Sequence, residues 1–267
     1  SIASQFVEAR LKGVSVPGYP GGVLPQTMAD GYAVQDLAID QWPDELVGWK
    51  VGLVPPQHRE RLGVERLAGC IFKTKVWDAG AEPTPFRAIA GGFTAVEAEF
   101  IVRLGKDAPA DKTEWTAEEA AEYVGELILG IEIAGSPLAT INALGPTVVA
   151  SDFGNNDGQI IGQAISNWRD IAWEDMPVET FLNGKSLGKA TAATIPGSPL
   201  AALAFLLGAA LLWPSLLFAG VSFAGRWAVR PIAQWFWADA RQQIPGLSLA
   251  VMALLIAFAA KASQSVE

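Results

Sequence analysis

The chain has 267 residues, with 19 basic against 28 acidic for a net charge of −9, and it holds one cysteine and one histidine. That length buries a sizeable core without disulfides or metal staples. The acidic balance argues against a nucleic-acid partner, which calls for a basic excess. With only Cys70 and His58, an intrachain disulfide and a Cys/His zinc site are excluded, and a Ser-His-Asp triad has almost no room.

Taken in chain order, Ile2, Phe6, Val7 and Leu11 have helical spacing and stop at Gly13, so residues 2–12 are expected as a helix. Residues 14–26 are rich in Gly and Pro and read as a loop. Thr27 with Asp30 opens a second helix over 27–39. Residues 46–53 read as a strand with Lys50 inside it, and 55–62 as a short helix ended by Gly63. A second strand is expected over 95–104. Thr116 and Glu119 cap a helix to about residue 124, and 127–133 is an apolar, β-rich run holding Glu132. Residues 151–158 are dense in turn formers and read as a polar loop. Asn183-Gly184 between 178–182 and 185–190 signals a hairpin, and Ser198-Pro199 opens a helix to about Leu207. Strands outnumber long helices without alternating regularly, which predicts an α+β fold with a curved mixed sheet.

The composition then changes. Residues 191–267 carry only Arg226, Arg230, Asp239, Arg241, Lys261 and Glu267 as charged side chains. Residues 200–225 and 244–260 are apolar runs of helix length, with the arginines between them. They read either as buried helices or as two membrane spans joined by a basic loop. The division expected is therefore 1–207 as a catalytic domain and 208–267 as an apolar helical tail. The first part, which shows no basic-then-apolar leader after Ser1, is expected in the cytoplasm. Membrane association is possible only through the tail.

Chemistry concentrates on three carboxylates and a lysine. Glu97 and Glu99 lie two apart on the expected strand and share a face, about 7 Å apart along it. Such a pair is either a solvated strand face or a chelate for one hard cation. Glu132 sits in Leu-Ile-Leu-Gly-Ile-Glu-Ile, where an uncompensated carboxylate is costly to bury and a cation would offset that cost. An all-carboxylate set favours Mg²⁺ or Mn²⁺ over Zn²⁺. Lys50, in Gly-Trp-Lys-Val-Gly, is either an edge-strand lysine or an acid–base group.

Gly48-Trp49-Lys50-Val51-Gly52, Glu97-x-Glu99, Ile131-Glu132-Ile133 and Ser151-Asp152…Asn156…Gly158…Gly162 occur in this order. The ordered set resembles the 2-keto-4-pentenoate hydratase branch of the fumarylacetoacetate hydrolase superfamily over about residues 2–207. Tyr32-Ala33-Val34-Gln35 and Leu62-Gly63-Val64 add to the likeness. The resemblance implies a mixed β-roll with peripheral helices and a divalent Mg²⁺ or Mn²⁺. Glu97, Glu99 and Glu132 match the metal-ligand positions, Lys50 the active-site lysine, and Asp152 and Asn156 the loop lining the pocket. Two positions depart from the pattern. Phe153 replaces an Asn, and Lys73 stands where many members carry an acid and bears on the substrate. The implied reaction adds water to a 2-hydroxy-dienoate or 2-oxo-enoate, giving a 4-hydroxy-2-oxo acid in aromatic-compound degradation. Sister activities on the same site are 2-oxo-acid decarboxylation and acylpyruvate C–C hydrolysis. A homo-oligomer with a small-molecule substrate is implied.

After Leu207 this likeness stops: no threonine follows Thr194, where a Thr-Gly-rich closing turn is expected. Residues 217–260 are instead similar to a fragment of an FtsX-like ABC-transporter permease. The expectation that follows is a helical tail that leaves the roll incomplete, a pocket open on one side, and weak or absent catalysis. A membrane protein without enzymatic activity, or an inactive chimera, is the reading of another class.

Overall fold

The computed structural model describes residues 1–109, 111–209 and 253–257. Helix α1 (Ile2–Lys12) opens on Ser1, whose side chain accepts from the Ser4 amide, and closes on Gly13 at φ 66. Only glycine takes that left-handed turn without steric cost. Helix α2 (Met28–Ile39) carries the expected reciprocal cap between Thr27 and Asp30. Strand β1 (Leu46–Leu53) and helix α3 (Pro56–Leu62) also fall where the pattern places them.

Strands β2 (Arg66–Phe72) and β3 (Val76–Asp78) carry no alternation that marks them in the sequence. Strand β4 (Phe93–Leu104) starts two residues earlier than expected. The Thr116–Glu119 box caps only the short α4 (Ala117–Ala121), because strand β5 (Val124–Ser136) already begins at Val124. Helices α5 (Ile141–Leu144) and α6 (Pro146–Ser151) and strand β6 (Asn156–Ala164) follow, so the expected polar loop over 151–158 is only a tight turn at 153–155. Strands β7 (Pro177–Leu182) and β8 (Lys185–Thr191) form the hairpin on Asn183-Gly184, both with positive φ. Helix α7 (Ser198–Ala209) runs past the expected boundary at 207.

Seven strands form one mixed sheet in the order β2-β1-β9-β4-β5-β6-β3. Strand β9 (Ala253–Ala257) pairs parallel to β1 and antiparallel to β4. This corrects the helix expected over residues 244–260. A short apolar run has no periodicity that separates a buried strand from a buried helix. It also means that a segment of the tail does enter the sheet that carries Glu97 and Glu99. The rest of that run, and 210–225 of the first apolar run, lie outside the described residues. Among the described residues no helix is long and apolar enough to cross a membrane.

The sheet has two unlike faces. On one, Trp49, Val51, Ala68, Cys70, Phe100, Val102 and Leu127 join Leu203 and Leu206 of α7 in the main core. On the other, Ile71, Ile101 and Ile128 form a small apolar floor. By strand alternation Lys50, Glu97, Glu99, Glu132 and Gln159 share that second face. A further core beneath α1, α2 and α6 contains Phe6, Met28, Tyr32, Leu138, Ile141 and Val148. The α+β class with a mixed sheet and peripheral helices is therefore as expected.

Candidate metal centre

Antiparallel pairing of β4 and β5 puts Glu97 directly opposite Glu132, with Glu99 two residues along. One carboxylate oxygen from each of Glu97, Glu99 and Glu132 lies within 4.8 Å of the other two. Glu99 and Glu132 are fully buried. Both oxygens of Glu99 and Oε2 of Glu132 have no hydrogen-bond partner. The other oxygen of Glu132 accepts from Asn156 Nδ2 at 2.8 Å. Gly130, opposite Glu99, leaves the space that the Ile101 side chain fills, since a Cβ there would sit 2.2 Å from Ile101 Cδ1.

Lys50 is also buried, its Nζ 3.6 Å from Glu132 Oε2 and 3.3 Å from Asn155 Oδ1. Burial alone would lower its pKa, but Glu132, Glu97 and Glu99 outweigh that effect and raise it, so the ammonium form is held. Burial, then repulsion from Glu132, pushes Glu97 up to about 7, with Lys50 only partly opposing. Burial and the charges of Glu132 and Glu97 push Glu99 well above the ordinary carboxylate range. One ammonium does not balance three carboxylates. Orphaned buried oxygens are expensive. A hard divalent cation, bound through oxygens at about 2.0–2.6 Å, satisfies them. The donor set therefore fits Mg²⁺ or Mn²⁺.

The turn at 153–155 and the first residue of β6 deliver two amides to this group, Asn155 and Asn156. Phe153 (φ 56), Gly154 (φ 61) and Asn155 (φ 56) are all left-handed. Asn155 reaches Lys50 and also donates to Asn142 Oδ1 at 3.1 Å. The turn rests on β2 so closely that a Cβ on Gly69 would meet the Phe153 carbonyl oxygen at 2.0 Å.

Two expected pocket residues have other work. Asp152 accepts from Arg10 Nε at 2.6 Å and from Ser136 Oγ at 2.6 Å, one bond on each oxygen. Both oxygens are thus engaged within the fold, and Asp152 anchors the loop. Arg10 further donates to the carbonyls of Gly135, Asp152 and Asn156 and stacks over the Phe153 ring. Lys73 is exposed and paired with Glu45 at 2.7 Å, so its side chain is on the surface and not in the carboxylate group. Surface exposure of a long, charged side chain is the ordinary outcome when no buried partner is in reach. Asn156 does join the site, through Glu132.

Three residues were not singled out by sequence reasoning. Arg10 sits among Glu8 and Lys12 in a helix that looks solvated. Asn155 differs from Asn156 only by one place in a polar run. Gln159, buried and opposite Glu132, lies in a stretch without clear alternation. A cavity of about 450 Å³, lined by Lys75, Trp77, Arg87 and Asp157 among others, opens at the β3–β6 edge.

No family model matches the sequence, and no curated protein matches it. Solved structures do. One is 4-oxalocrotonate decarboxylase from Pseudomonas putida G7 complexed with calcium and acetate, at 20% identity and TM-score 0.61, covering 78% of each chain. The same enzyme complexed with magnesium and adipate gives 20% identity and TM-score 0.60, again over 78% of each chain. The chain thus has the fold of that decarboxylase.

Proposed function

We propose that the chain is a metal-dependent hydratase that adds water to a 2-hydroxy-dienoate or 2-oxo-enoate and yields a 4-hydroxy-2-oxo acid. The observation that carries this reading is the meeting of Glu97, Glu99 and Glu132 within 4.8 Å, with the oxygens of Glu99 unpartnered. Glu97, Glu99 and Glu132 would hold Mg²⁺ or Mn²⁺, which would supply Lewis acidity to the bound acid. Everything else comes from the chain. Lys50, held as the ammonium by the surrounding carboxylates, gives a proton to the terminal diene carbon and, as the amine, takes the 2-hydroxyl proton, which turns the 2-hydroxy-dienoate into the conjugated 2-oxo-enoate. Asn155 accepts from the Lys50 ammonium, and Asn156 donates to one oxygen of Glu132, which leaves the other without a hydrogen bond and available as a ligand. Water then adds to the conjugated double bond.

The test is Mg²⁺- or Mn²⁺-dependent loss of the dienol absorbance of 2-hydroxypenta-2,4-dienoate, with a 4-hydroxy-2-oxo acid as product. Unchanged absorbance with folded, metal-loaded protein rules out that substrate. A second reading, decarboxylation of a 2-oxo acid, is favoured by the likeness to a decarboxylase fold. Release of carbon dioxide from a 2-oxo-enedioate, without water addition to the carbon chain, selects it.

A further inference from the structure

Among the described residues, Gln159 is a buried polar side chain beside the carboxylates that the reaction above leaves unused. It is fully buried, and neither its Oε1 nor its Nε2 has a hydrogen-bond partner. It stands on β6 opposite Glu132, which itself stands opposite Glu97, so the three form one cross-strand row. Directly opposed residues on an antiparallel pair project to the same side, with Cβ atoms about 4.5–5.5 Å apart. On its other flank the register partner is Val76, which offers no polar group. A carboxamide buried in this way forfeits the hydration of both its atoms. An apolar side chain would fill the same space without that loss.

We propose that Gln159 contacts substrate: its Nε2 donates to an oxygen of a 2-oxo acid bound at Glu97, Glu99 and Glu132. The inference rests on the metal-centre reading and adds to it the residue that recognises the bound acid. A cation alone would engage only Oε1 and leave the donor orphaned, whereas a carboxylate or 2-oxygen beside the cation accepts from Nε2. The donor places the ligand in one orientation, which a cation alone does not do.

The experiment uses the full chain, Mn²⁺ alone and then pyruvate as the smallest 2-oxo acid. Mn²⁺ affinity, pyruvate affinity of the Mn²⁺-loaded protein, and the melting temperature of the metal-free protein are measured for the unaltered chain, Gln159→Met and Gln159→Glu. For Gln159→Met the expected result is Mn²⁺ affinity within about twofold, pyruvate affinity lower by about tenfold or more, and a melting temperature unchanged or raised. Gln159→Glu removes the donor at constant shape and adds a charge, so pyruvate affinity falls while Mn²⁺ affinity holds or rises. Equal pyruvate affinity in all three proteins overturns the proposal. So does a loss of Mn²⁺ affinity in Gln159→Met that accounts for the whole pyruvate effect, because Gln159 is then a metal ligand. If the unaltered chain binds Mn²⁺ but not pyruvate, the proposal alone falls. If it binds no Mn²⁺, the metal-centre reading falls and takes the proposal with it.

Discussion

Arg10 Nε lies 2.6 Å from Asp152 Oδ1, and both side chains are shut away from solvent. The pair joins the first helix of the chain to the turn that carries Asn155 and leads into Asn156 at the start of β6. Burial by itself would lower the Arg10 pKa, but Asp152 and Asp157 outweigh it, so the guanidinium stays charged. Removing one member of such a pair leaves the other charge buried alone. Arg10→Ala is expected to lower the unfolding free energy by about 3–5 kcal/mol. Urea denaturation checks this, and Asp152→Asn, which keeps the hydrogen-bonding shape, is expected to cost less.

The metal-free centre ties stability to pH in a defined direction. Glu97 has its carboxyl pushed from 4.5 to about 7 in the folded chain. The folded state then binds more protons than the unfolded state between those values, so this group makes the apo protein less stable as pH rises from about 4.5 through about 7. Saturating Mn²⁺ reverses the trend, because the cation displaces those protons and binds more tightly as pH rises. Thermal unfolding between pH 5 and pH 8, with and without Mn²⁺, is the measurement; curves of the same slope would contradict the assignment.

Glu97→Gln tests the group by subtraction. It removes one ligand and one of the charges that repel Glu132 and Glu99. Mn²⁺ affinity is expected to fall by about tenfold or more. At pH 8 the metal-free variant is expected to melt above the parent chain. Calorimetric titration and a thermal melt read the two effects separately.

Lys50→Met keeps most of the stem and removes the ammonium that lies 3.6 Å from Glu132. The cation site loses a competing positive charge, so Mn²⁺ affinity is expected to hold or improve. Turnover is expected to fall by about 10²–10⁴ if the ammonium moves protons at carbon. Retained turnover would assign Lys50 to charge compensation alone.

Much of the centre was readable because strand alternation is a local property. Glu97 and Glu99 share a face by their spacing alone, and the Asn183-Gly184 hairpin and both capping boxes are set by residues within a few places of one another. What was not readable depends on partners far along the chain. Arg10 is an ordinary helix arginine until Asp152 arrives from 142 positions away. Gln159 gains meaning only from its register opposite Glu132. Strand β9 reads as helix because five apolar residues between two sheet strands carry no alternation. At Asp152 and Lys73 a position matching a pocket motif has partners within the fold that the motif does not announce, Arg10 and Ser136 in one case and Glu45 in the other.

The seat of the 153–155 turn on Gly69 is a contact of main chain with main chain. It involves no rotamer that can swing aside: a Cβ on Gly69 would lie 2.0 Å from the Phe153 oxygen, and one on Gly154 would lie 2.9 Å from Gly69 Cα. Lys50 is the register partner of Gly69 on the neighbouring strand. The ammonium and the Asn155 amide that meets it are thus set by the same two lengths of backbone. Filling or emptying the cation site changes charge and protonation around a frame that is already stiff. For the reaction proposed above, little reorganisation is left to be done, which is the economy that a preorganised polar site offers over water.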